Sequence, residues 1–135
     1  MNKFFIFDTN TLLSALFDET SAPAMALKKA RLHYVLLISE PVKAEYRRVF
    51  FRTKFDKYIS VSTRIEFIEN IIHHSFPVNI TEEISECRDT KDDKWLSLAV
   101  SAKADCIVTG DKDLLVLHPF RNIPILNAAD FLNNF

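Results

Sequence analysis

The stretch Lys3-Phe4-Phe5-Ile6-Phe7-Asp8-Thr9-Asn10 governs the reading of the whole chain. A continuous apolar run of this kind fills a strand buried on both faces of a parallel sheet, and here it ends abruptly at an acid. Leu12, Leu13, Leu16 and Phe17 then recur at helical spacing, so the first strand feeds a helix. A second stretch has the same build, with Cys106-Ile107-Val108 followed by Thr109-Gly110-Asp111. Ligands of open parallel sheets bind outside the carboxyl ends of the strands, which puts Asp8 and Asp111 on one functional edge.

Between these stretches the chain alternates. Ser21-Ala22-Pro23 caps a helix through about Arg31, and His33 to Ile38 reads as the next strand. Ser39 as N-cap and Pro41 in the first turn open a helix through about Phe51 that carries Glu45. Ser60 or Ser62 starts a long amphipathic helix to about His74, with Ile65, Ile68, Ile71 and Ile72 on its buried side. Phe76 to Ile80 is a short strand and Thr81 to Asp89 an acidic connector. Asp92-Asp93 heads a helix whose apolar stripe is Trp95, Leu96, Leu98, Ala99 and Ala102. Asp113 to Leu115 makes a helical turn, Ile123 to Leu126 a final edge strand and Ala128 to Leu132 a terminal helix. Strands alternating with helices predict an α/β fold, a single three-layer α/β/α domain over residues 1–135 with a central parallel sheet.

At 135 residues, 48% hydrophobic and 26% charged, the chain has a globular rather than a disordered composition. Its apolar runs fall far short of the roughly 20 residues that span a bilayer. The opening apolar stretch meets Asp8 too early for a signal peptide, so a cytoplasmic location is expected. The single glycine, Gly110, excludes Walker-type and dinucleotide-binding loops, which need several. Cys87 and Cys106 lack metal-ligand spacing and read as small packing residues.

Charge is lopsided although the net charge is only −1. Lys28 to Arg64 holds ten bases against three acids, and Thr81 to Asp113 nine acids against five bases. The first segment is a candidate polyanion surface, the second a candidate metal or acid cluster. Glu45 projects toward the edge that carries Asp8 and Asp111, and Asp92 and Asp93 stand where the next helix begins. Four or five carboxylates thus converge with no compensating base expected among them. Like charges sharing a site raise one another's pKa unless a cation relieves them. An all-oxygen donor set favours Mg²⁺ or Mn²⁺ over zinc, which suits phosphodiester hydrolysis. Taken singly, each acid is more simply a turn residue, a helix cap or a solvated charge; the coincidence of two acid-tipped strands is what singles out the set.

Four segments in order resemble the motifs of PIN-domain ribonucleases: Phe7-Asp8-Thr9-Asn10, Ser39 through Glu45, Asp89 through Leu98, and Val108 through Leu115. The match is nearest to the prokaryotic toxins of toxin–antitoxin pairs. The resemblance implies Mg²⁺- or Mn²⁺-dependent cleavage of RNA, with Asp8, Glu45 and Asp111 as the first, second and fourth acids. The third is Asp92 or Asp93: the acidic-loop pattern favours Asp92, while the count back from Asp111 favours Asp93. Thr9, Asn10 and Thr109 match polar supporting positions, and Asp113 stands close enough to Asp111 to assist. Arg47, Arg48, Arg52 and Lys54 follow Glu45 and are expected to lead RNA to the acidic edge. Tyr46, Phe50, Phe51, Phe55 and Tyr58 are either base-stacking residues or core and dimer surface, and Phe50, Phe51 and Phe55 are the expected anchor for a partner. An antitoxin protein and a homodimer are the expected partners.

Two rival readings differ from this one. Haloacid dehalogenase-like phosphatases also carry an acid after the first strand, but they need a second Asp two residues on, where this chain has Asn10. A PIN-like scaffold that only binds RNA or protein would not need every acidic position filled.

Overall fold

Phe4–Phe7 forms β1, and three of its four residues are buried, as expected for a strand covered on both faces. It is the central strand of a five-stranded parallel sheet in the computed structural model, which describes residues 2–135. The other strands are β2 (Val35–Ile38), β3 (Phe76–Pro77), β4 (Cys106–Val108) and β5 (Ile125–Leu126), in the order β3-β2-β1-β4-β5. The chain therefore builds outward from β1 on one side, then crosses back to lay β4 on the other. Phe4 pairs with Val35 on one side of β1, and Phe7 with Val108 on the other.

Helices flank the sheet in the expected α/β arrangement: α1 (Thr9–Phe17), α2 (Ala22–His33), α3 (Glu40–Phe50), α4 (Val61–His74), α5 (Asp93–Ala102), α6 (Lys112–Leu115) and α7 (Ala128–Asn134). Packing sorts them: α2 lies against α1 and α7, while α3 lies against α4 and α5. Phe5 and Phe131 meet edge to face at 5.0 Å between ring centroids, and Tyr46 of α3 meets Trp95 of α5 at 5.9 Å. Ser21, Ser39 and Ser60 each cap their helix with the side-chain oxygen, as their types predict. No helix among the described residues is long and apolar enough to cross a membrane.

Three strand boundaries differ from expectation. The second strand starts at Val35 rather than His33, because α2 runs on through His33 and Tyr34 caps it by donating its N–H to the Ala30 carbonyl. The third strand ends at Pro77 rather than Ile80, since Pro77 has no N–H to donate and Val78 makes the last contact, to Ile38 O at 2.7 Å. The fifth starts at Ile125 rather than Ile123, which instead bridges back to Phe120. The basic connector after α3 also holds a single 3-10 turn at Thr53–Phe55. It rests on Arg64, a fully buried guanidinium that donates to the carbonyls of Phe50, Arg52 and Ile59 and to Asp56. Cys87 and Cys106 are free and buried.

Candidate metal centre and acidic cleft

The strand order reverses between β1 and β4, and the crevice at such a switch point opens at the carboxyl ends of the strands. Asp8 and Asp111 occupy those two ends. Asp8 N donates to Val108 O at 3.1 Å, which carries the ladder one step past β1. Asp8 is also the N-cap of α1, with Oδ1 accepting from Thr11 N at 2.8 Å, so it is both a helix cap and a member of the edge cluster. Its second oxygen accepts from the hydroxyl of fully buried Thr109. Burial, with a smaller contribution from the neighbouring Asp111 charge, pushes the Asp8 carboxyl above its ordinary range.

Asp8, Thr9, Asn10, Glu45, Asp92, Asp111 and Asp113 line one cleft of about 220 Å³. Oxygens of Asp92, Asp111 and Asp113 all lie within 4.8 Å of one another. Desolvation and the charge of Asp111 push Asp92 up to about 7. Asp111 caps α6 through its own side chain, leaving Oδ1 bonded to Asp113 N at 2.9 Å. Asp113, expected only as an assistant, thus stands inside the tightest group. On the far side of Asp8 and Asp111 lies a second, larger hollow of about 610 Å³, bordered by Asn10, Ser14, Pro23 and Asn127.

Asp92 faces the cleft and Asp93 does not. Asp93 turns to accept from Cys87 N at 2.9 Å and borders a separate hollow with Glu83 and Ser97. Asp92 ends the 3-10 turn Thr90–Asp92 and Asp93 opens α5, and their successive positions around the helix axis send them to different sides.

Three cations, Lys94, Arg48 and Arg88, accompany the acids, against the expectation of none. Lys94 Nζ donates to Glu45 Oε1 at 2.6 Å, and Arg88 forks onto Asp113 at 3.0 and 3.1 Å. Nothing in the spacing of Lys94 singles it out, because it follows Asp93 as one of many lysines; only the packing of α5 on α3 brings it to Glu45. The Glu45 Oε2 atom accepts from the Thr9 hydroxyl.

The basic residues divide. Arg48 and Arg52 border the acidic cleft together with Lys91 and Asp89, neither of which was singled out as a site residue. Arg47 points to α4, where it holds Glu69 in a bidentate pair at 2.8 and 2.9 Å. Lys54 lies over the Phe55 ring, 5.1 Å from its centroid, and is not among the residues that line the cleft. Tyr46 is core, its hydroxyl donating to Phe7 O at 2.5 Å, and burial raises its pKa well above the ordinary value. Phe50 is also fully buried, so of the expected apolar anchors only Phe51 is strongly exposed.

Comparison with known proteins agrees with this layout. A sequence profile described as PIN domain matches residues 5–113. The uncharacterized protein MJ1680 of Methanocaldococcus jannaschii is 29% identical over 114 residues, spanning 83% of this chain and 73% of that protein. Two crystal structures share the fold. VapBC2 from Rickettsia felis, bound to a DNA fragment from their promoter, matches with a TM-score of 0.60 at 13% identity, covering 92% of this chain and 98% of the other. PAE2754 from Pyrobaculum aerophilum matches with 0.61 at 14%, covering 97% and 88%.

Proposed function

The chain belongs to the PIN domain family, and we propose that its acidic cleft is the centre of an Mg²⁺- or Mn²⁺-dependent endoribonuclease, the toxin of a toxin–antitoxin pair. The observation that carries this reading is the approach of Asp92, Asp111 and Asp113 oxygens to within 4.8 Å. Burial, together with this crowding, raises Asp92 to about 7, so the donor set is short of positive charge. Hard oxygen donors alone fit Mg²⁺ or Mn²⁺. Asp8, Asp92, Asp111 and Asp113 are the residues proposed to hold the ion; Glu45, expected among the ligands, is engaged by Lys94 and Thr9, and Asp93 turns away to accept from Cys87 N. When bound, such an ion neutralises charge on the scissile phosphate and lowers the pKa of an attacking water.

The protein's own groups do the rest. Thr109 and Thr11 fix both oxygens of Asp8, so this carboxylate keeps one orientation without solvent reorganisation. Arg48, Arg52 and Lys91 border the same cleft and offset its negative field, so a polyanion can approach. Thr9 steadies Glu45, and Asn10 faces both hollows, where its amide can meet a phosphate or a sugar. Residues 1–135 are taken as one nuclease domain, working in the cytoplasm as a homodimer with an antitoxin protein as partner. The fold shared with VapBC2 supports the antitoxin partner. The test is incubation of purified protein with mixed RNAs, with and without Mn²⁺, beside Asp8→Asn. Cleavage only with metal, lost in the variant, is expected; cleavage by Asp8→Asn or in chelator overturns the reading.

A further inference from the structure

We infer that Lys94 is a positioning residue that serves as a built-in second cation, so that the centre takes one divalent ion rather than two. The inference rests on the proposed metal-dependent function and concerns how the charges of that centre are shared out.

The acids are not equally in need of an ion. Glu45 has both oxygens engaged: Oε1 by Lys94 Nζ at 2.6 Å, with Arg48 at 3.7 Å from the same atom, and Oε2 by the Thr9 hydroxyl. The side chains of Glu45 and Lys94 are only 14% and 19% exposed, so the pair is shielded from competing water. Asp92 has no such partner, and the cation nearest to Asp113 is Arg88, whose side chain is 84% exposed. Exposed pairs of that kind contribute little, whereas a partly buried ammonium at hydrogen-bond distance neutralises its acid effectively. Lys94 reaches Glu45 from the neighbouring hollow, which it lines with Asp93 and Ser97, and it does not line the acidic cleft itself. It acts through Glu45 from behind, without touching substrate.

Two-ion centres place cations on both the attacking and the leaving oxygen of a phosphodiester. Here Glu45 is the acid that would help hold a second ion, and Lys94 has already satisfied it. A single ion would then be held by Asp8, Asp92, Asp111 and Asp113, and the fixed ammonium would supply the remaining compensation.

Mn²⁺ titration followed by electron paramagnetic resonance of the free ion tests this on the whole chain. Wild type is expected to bind a single ion per chain, Lys94→Met a second one, and Lys94→Arg a single ion again. Glu45→Gln is expected to keep the first ion's affinity within about twofold, while Asp111→Asn loses at least about tenfold, the scale of a lost ligand or its orienting partner. The Glu45 and Asp111 variants decide the matter even if Lys94→Met does not fold. Two ions on wild type, or a Glu45→Gln loss equal to that of Asp111→Asn, overturns the inference. Cleavage of RNA by that two-ion wild type leaves the nuclease reading intact, whereas no ion bound at millimolar Mn²⁺ together with no cleavage removes both.

Discussion

Thr109 ties the two acid-bearing strand ends together through one hydroxyl: it donates to Asp8 Oδ2 and accepts from Asp111 N at 3.0 Å. Thr109 is fully buried, so neither bond is exchanged with water.

Thr109→Val keeps the shape of the side chain but leaves the buried Asp8 carboxylate one donor short. A stability loss of about 1–3 kcal/mol is expected, the cost of stranding a buried polar group. Urea denaturation checks this, with Thr109→Ser expected to recover most of the loss. A Val variant as stable as wild type would mean that Asp8 finds another donor.

The pH dependence of the metal-free protein follows from Asp92, raised to about 7, and from Asp8, raised in the same direction. Acids with a higher pKa in the folded state hold more protons there than in the unfolded chain, so stability falls as pH rises. For Asp92 the fall runs from its ordinary value near 4 up to about 7. Melting curves in chelator across that window are expected to show it, and Asp92→Asn to make the slope shallower. Added Mn²⁺ is expected to stabilise most at the upper end, where the acids are ionised.

Arg48 and Arg52 border the acidic cleft, while Arg47 is held by Glu69. Binding of single-stranded RNA to the Asp8→Asn protein, measured by anisotropy at several salt concentrations, separates their roles. Arg48→Ala and Arg52→Ala are each expected to lower the slope of log affinity against log salt by roughly 0.7. Arg47→Ala is expected to leave it unchanged. An equal loss in all three would mean a diffuse basic surface rather than a defined approach.

Arg64 lies at the end of α4 nearest the exit of α3 and satisfies three carbonyls there. Arg64→Met fills similar space but strands those acceptors, so a loss on the order of 3 kcal/mol or more is expected. Proteolysis near Thr53–Phe55 should accelerate in the same variant, since that turn loses its support.

Much of the fold was legible because burial on both faces leaves an unmistakable apolar run, as at Phe4–Phe7, and because Ser21, Ser39 and Ser60 each mark the start of a helix as its N-cap. The acids at 8 and 111 were legible for the same reason, each standing where such a run stops. Lys94, Arg47 and Phe50 were not. Each lies on a helix where one step along the chain turns the side chain by about 100°, so whether it meets an acid, a neighbouring helix or the core depends on how helices pack, which local pattern does not encode. The choice between Asp92 and Asp93 is of the same kind: adjacent residues of identical chemistry are separated only by the direction in which α5 leaves its 3-10 turn.

The order β3-β2-β1-β4-β5 also sets a clock on biosynthesis. Asp8 emerges 101 positions ahead of its partner Thr109. At about 5–20 residues per second, that interval lasts roughly 5–20 s. Until β4 follows, β1 lacks one of its two neighbours, and Asp111 and Asp113 are missing from the acidic cleft. A ribosome that stalls or aborts before β4 releases a fragment in which Asp8 lacks both Thr109 and Asp111, so no acidic centre assembles.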